Sequence, residues 1–219
     1  DGTQGEGVHL SIGDKLDIAR ALDAIGVDYI EGGWPGSNPK DNELFTRIRD
    51  LDLKTAKVCA FGSTRRADAS PADDFFLQKL VASKADVTTI FGKSWDLHVE
   101  QALRVSLDKN LDMIAESVAY LVEATGKPVF YDAEHFFDGW KANAEFAAET
   151  IRAAAEAGAR LVILCDTNGG SMPEEIAEFT RQALAALQEF NVGVGIHCHN
   201  DCDLAIANSL AAVDAGAEQ

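Results

Sequence analysis

The sequence predicts an α/β fold, a TIM-type (β/α)8 barrel, and three observations predict it. Short apolar or β-branched runs recur about every thirty residues, amphipathic helical stripes separate them, and chemically capable polar side chains gather where the runs end. About thirty residues is the length of one strand–loop–helix unit. Strands alternating with helices build a parallel sheet covered by helices.

The elements follow in order. Residues 1–7 read as a loop leading from a strand into a helix, with Ser11 as its N-cap. Ile18, Leu22 and Ile25 step by four and three residues and give that helix an apolar face. Runs at 27–30, 56–61 and 87–91 are the first three strand runs within the chain. Leu111, Ile114, Val118 and Leu121 mark the helix before the fourth run at 129–131. A fifth run at 161–164 precedes the stripe Ile176, Phe179, Ala183 and Leu187, and the sixth run spans 192–196. Glu174, Glu175 and Glu178 put negative charge near the start of that last helix, where its dipole favours it. The junctions Ala24-Ile25-Gly26, Ala157-Gly158-Ala159 and Ala215-Gly216-Ala217 repeat a pattern in which glycine takes the left-handed conformation that ends a helix. The third copy predicts a further strand beyond Gln219, and the opening loop predicts one before Asp1. Six runs and these two make eight. The expectation is therefore a single catalytic domain over residues 1–219, a barrel truncated at both ends with strand 1 and strand 8 outside the chain. An open doubly wound sheet is the competing architecture, but no Gly-rich dinucleotide fingerprint follows the early runs.

Composition narrows the partners. In 219 residues, 47% apolar and 25% charged side chains describe an ordinary globular domain long enough to bury a core. Nineteen basic against 36 acidic residues leave a net charge of −17 with no basic cluster, which opposes nucleic-acid binding. No apolar run approaches membrane-spanning length, and the N-terminus is no signal peptide. A cytoplasmic protein with no membrane partner is expected. Cys59, Cys165, Cys198 and Cys202 show no secreted-type framework and are expected as thiols.

In such barrels chemistry sits at the C-terminal ends of the strands. Those ends carry Glu31, Arg65 and Arg66, Lys93, Asp132 and Glu134, Asp166 and Thr167, and His197 and His199. Residues i and i+2 of a strand share a face, so His197 and His199 point together while Cys198 points away. The pair is either half of a divalent-metal site or two hydrogen-bonded polar residues. A zinc site through Cys198 and Cys202 is disfavoured, because Cys198 turns outward and Cys202 reads as a helix residue. Asp1, following the expected first strand, can complete a facial set suited to Mg²⁺, Mn²⁺ or Zn²⁺. Trp34, Trp95 and Trp140 on post-strand loops are lid or packing residues. His135 reads as structural, and Arg65-Arg66 as either a phosphate contact or a solvated pair.

Two motifs carry a resemblance. Asp1-Gly2-Thr3-Gln4 with Gly5-Glu6-Gly7, and His197-Cys198-His199-Asn200-Asp201 followed by Ala207-Asn208-Ser209-Leu210, resemble the signatures of the metal-dependent TIM-barrel condensing enzymes and lyases. That family includes isopropylmalate, homocitrate and citramalate synthases and HMG-CoA lyase. Residues 61–66, 92–99, 131–139 and 166–170 resemble its citramalate synthase branch. The resemblance implies metal ligation by Asp1, His197 and His199, and catalysis by Glu134 with Gln4 lining the centre. It implies that Thr167 binds the oxo-acid carboxylate, Tyr131 shapes its pocket, His98 lines the site and Glu31 orients neighbours. The implied reaction joins acetyl-CoA to a 2-oxo acid, pyruvate giving citramalate and CoA, in branched-chain (isoleucine) biosynthesis, with a homodimer when full length. The family's arginine before Asp1 and its later Gly-X-Gly-Glu-Arg segment fall outside residues 1–219, so the chain alone is expected to be an incomplete enzyme. Alternatives are an isopropylmalate or homocitrate synthase, a lyase cleaving in the aldol sense, and, outside enzymes, a metal-binding barrel fragment.

Overall fold

The computed structural model describes residues 5–219. Within them the order is α1 (Ile12–Ala24), β1 (Tyr29–Gly33), α2 (Pro39–Arg47), β2 (Lys57–Ser63), α3 (Phe75–Ser83), β3 (Val87–Lys93), a short α4 (Asp96–His98), α5 (Leu107–Thr125), β4 (Val129–Glu134), α6 (Phe136–Glu156), β5 (Leu161–Asp166), α7 (Pro173–Ala186), β6 (Gly193–Cys198) and α8 (Ala205–Ala215). The six strands form one sheet in the order β1-β2-β3-β4-β5-β6, and every adjacent pair is parallel. A doubly wound sheet reverses its strand order part-way. Unbroken sequential order is the wall of a (β/α)8 barrel.

Local chemistry accounts for the boundaries. Ser11 caps α1 through a capping box: its hydroxyl accepts from the Asp14 amide at 3.2 Å and its amide donates to the Asp14 carboxylate at 2.8 Å. Gly26, Gly158 and Gly216 all have positive φ, as their helix-ending positions require. Gly33 ends β1 after a register irregularity, with φ +130° and the Asp41 carboxylate lying where a Cβ would point. That close approach turns the chain into α2, whose cap is Asn38.

Alternation along the strands divides the core. Cys59, Val87, Phe130, Leu161, Ile163 and Cys165 pack together on the concave side of the sheet. A larger layer between sheet and helices includes Ala60, Ile90, Tyr131, Ala133, Val162 and Leu164. Both strand faces are buried, hence the nearly continuous apolar runs in the sequence. The predicted stripes of α5 and α7 are the faces that pack inward. In α1 the expectation is corrected: Leu16 and Ala19 are buried, whereas Ile18 is 43% and Ile25 77% exposed. That helix carries two apolar stripes, and periodicity alone does not say which one meets the sheet. Residues 201–203 form a turn before α8, so Cys202 is not a helix residue.

Candidate active site at the strand C-termini

The C-terminal ends of the strands open into a cleft of about 1070 Å³ whose wall includes Glu31, Glu134, Thr167, His197 and His199. Each arrives there by the same alternation. His197 is the cross-strand partner of Cys165, and the imidazoles of His197 and His199 lie 5.1 Å apart, centroid to centroid, on one face. Burial, followed by the neighbouring His199 and countered by Glu31, holds His197 below the usual histidine range. It is therefore neutral near pH 7, the form that donates to a metal ion.

Glu134 ends β4 opposite Lys93 of β3, and the two side chains form a close ion pair. Thr167 follows β5, and its hydroxyl accepts from the His135 amide at 2.9 Å, tying the ends of β4 and β5 together. His135 has φ +56°, a left-handed turn that breaks strand alternation immediately after Glu134. Its ring therefore packs 4.3 Å from His98 and bonds the Asp138 carboxylate through Nδ1 at 3.1 Å. Burial alone would raise Asp138, but hydrogen bonds from His135 and Asn168 outweigh it and hold the carboxyl low.

Two expected site residues lie elsewhere. Tyr131 is fully buried between sheet and helices and does not line the cleft. If Glu134 faces inward, so must Asp132, and Tyr131 then faces outward. His98 stands in an aromatic cluster with Trp95 and His135 beside the cleft, not in its wall. Asp1 and Gln4 lie outside the described residues. Arg65 is corrected as well: only 3% exposed, it bonds Glu116 at 2.6 Å and the carbonyls of Arg66 and Ala69, so it is a structural clamp and not a phosphate contact. Trp140 packs in the helix layer and bonds Gln182, while Trp34 forms cleft wall against Phe61, Phe76 and Phe91.

Asp132 is the residue that sequence reasoning named as a strand end and then passed over. It is 5% exposed, lines the cleft, and its Oδ1 has no hydrogen-bond partner among the described residues. Desolvation, reinforced by Glu31 and Glu134, pushes its carboxyl up to about 8. Its carboxylate, the Cys165 thiol and the His197 imidazole offer ligand atoms within 4.8 Å of one another. The inward position of Asp132 was available from the period of two. The Lys93–Glu134 pairing was not, because register is a tertiary fact.

The HMGL-like family model matches residues 1–219. The chain belongs to the HMGL-like family. Within reach of that family, it is 52% identical over 219 residues to an (R)-citramalate synthase of Geobacter sulfurreducens and 51% identical to one of Aquifex aeolicus. In each case the match covers all of this chain and 41% of the relative. A probable 2-isopropylmalate synthase of Methanopyrus kandleri is 35% identical over the same span, again 41% of its length. The chain thus spans about two fifths of the curated relatives it matches. Among solved structures, the HMG-CoA lyase of Brucella melitensis superposes with a TM-score of 0.77 at 16% identity, covering 99% of this chain and 75% of that one. An HMG-CoA lyase of Acinetobacter baumannii, in complex with coenzyme A and 3-methylmalate, gives 0.74 at 21% identity, covering 99% and 69%. At such identities the likeness establishes the HMGL-like barrel fold.

Proposed function

We propose that the protein carrying this chain condenses acetyl-CoA with pyruvate to form citramalate and CoA. The observation that carries the reading is the paired His197 and His199 facing a cleft shared with Glu134 and Thr167. The choice of pyruvate is supported by relatives named (R)-citramalate synthase at 46–52% identity, against 33–35% for those named 2-isopropylmalate synthase.

Two imidazoles on one strand face suit a divalent cation such as Mg²⁺, Mn²⁺ or Zn²⁺, and the expected third ligand is Asp1. When bound, that ion supplies a Lewis acid that polarises the oxo group of the acceptor. Thr167 donates its hydroxyl proton to the acceptor carboxylate, which the amide of His135 leaves possible by occupying only an oxygen lone pair. Glu134 accepts the methyl proton of the thioester, and Lys93 keeps that carboxylate oriented toward the cleft. The carbanion so formed bonds to the oxo carbon, whose oxygen takes a proton. Water then cleaves the thioester and CoA leaves. Phe61, Phe91 and Trp34 form apolar wall that limits the acceptor side chain. One methylene more or less in such a wall is worth roughly 1–3 kcal/mol of discrimination.

The test is thiol release by the full-length protein with acetyl-CoA and a series of 2-oxo acids, with Mg²⁺ or Mn²⁺ and then with chelator. Cation-dependent release fastest with pyruvate is the expected result. Faster turnover of a branched acceptor replaces the substrate assignment, and no release with any acceptor overturns the condensation.

A further inference from the structure

We propose that Asp132, Cys165 and His197 form a thiolate-containing site for Zn²⁺ on the concave wall of the barrel, sharing His197 with the His197–His199 pair. The three residues sit on consecutive strands β4, β5 and β6, and their ligand atoms lie within 4.8 Å of one another. Cys165 and His197 are direct cross-strand partners, so their spacing is set by the sheet and not by flexible loops. Asp132 and Cys165 are both buried, and Asp132 presents an oxygen with no hydrogen-bond partner among the described residues. Around them the concave layer is apolar, built from Phe130, Leu161 and Ile163. The Asp132 oxygen loses its water there, a cost that a bound cation would offset.

Zinc is the ion this donor set selects. Thiolate is a soft ligand that favours Zn²⁺ over Mg²⁺ or Mn²⁺, and imidazole and carboxylate complete a set common at zinc. Three protein ligands leave one position for water or a substrate oxygen. On binding, the S–H bond of Cys165 and the O–H bond of the Asp132 carboxyl break, zinc–sulfur and zinc–oxygen bonds form, and both protons pass to solvent. His197 belongs to both donor sets, so zinc seated here withdraws it from His199, and the two occupancies exclude each other. The inference requires no particular reaction and stands or falls apart from the proposed condensation.

Cobalt(II) added to the full-length protein is the probe, because Co²⁺ takes zinc positions and reports thiolate ligation by charge-transfer absorption in the near ultraviolet. The expected result is a band that saturates at one ion per chain, persists in Cys202→Ser, is abolished by Cys165→Ser and is displaced by Zn²⁺. Asp132→Asn is expected to weaken zinc by about tenfold or more, the scale of a lost metal-site partner. Bound cobalt without the band, or a band that survives Cys165→Ser, overturns the site. Should Cys165→Ser fail to fold, X-ray absorption of the zinc-loaded wild-type protein decides. One sulfur near about 2.3 Å beside nitrogen and oxygen supports the site, and a shell of nitrogen and oxygen alone refutes it.

Discussion

Replacing Asp132 by Asn is expected to stabilise the cation-free protein at neutral pH and to remove a specific part of its pH dependence. The folded carboxyl titrates at about 8, against an ordinary value of 3.8. Between those values the unfolded chain has lost the proton while the folded chain keeps it. The native state then binds more protons than the unfolded state, so stability falls as pH rises across this window and levels off above it. Each pH unit is worth about 1.4 kcal/mol for one group. From 3.8 to pH 7 the ceiling is about 4 kcal/mol, and local relaxation with water entry reduces the expected cost to about 2 kcal/mol. Asn keeps the shape of Asp132 without the ionisation. The assay is urea unfolding followed by tryptophan fluorescence, from pH 5 to 9, with chelator, comparing wild type and Asp132→Asn. The difference between the two should grow with pH up to about 8. Parallel profiles, or a variant less stable at pH 8 than at pH 5 relative to wild type, would show that Asp132 is ionised or solvated in the folded protein. Zinc should reverse the sign, since a cation stabilises the carboxylate.

Two further outcomes follow from the geometry. Glu134→Gln preserves a hydrogen-bonding partner for Lys93 but cannot accept a proton, so CoA release is expected to fall about 10²- to 10⁴-fold with unchanged unfolding behaviour. A loss under tenfold would remove Glu134 from the proton transfer. Gly139→Ala places a methyl group into the Ser94 carbonyl, a backbone atom that cannot swing aside. Destabilisation of about 1–3 kcal/mol, read by chemical denaturation, is the expected cost. A neutral result would mean that α6 does not press on the loop after β3 at Ser94.

Much of this protein was written in local patterns. A strand period of two, helical stripes at three and four residues and glycines at helix ends are short-range signals, and they specified the alternating units, the Ser11 cap and the common face of His197 and His199. The period of two also contained the placement of Asp132, and reading Tyr131 into the cleft went against it. Other features depend on which residues meet across the sheet. The partnership of Lys93 with Glu134, of Cys165 with His197, and of Arg65 with Glu116 joins residues tens of positions apart. So does the choice between the two apolar stripes of α1, which the sheet settled in favour of Leu16 and Ala19. His135 shows the boundary most clearly: the sequence marks it only as structural, and a left-handed turn between β4 and α6 sends its ring toward His98 and Asp138. Sequence determined which faces are apolar and where chains turn, because those depend on neighbours along the chain. Only the assembled sheet decided partners, burial and protonation, because desolvation and charge coupling are set by distance in space.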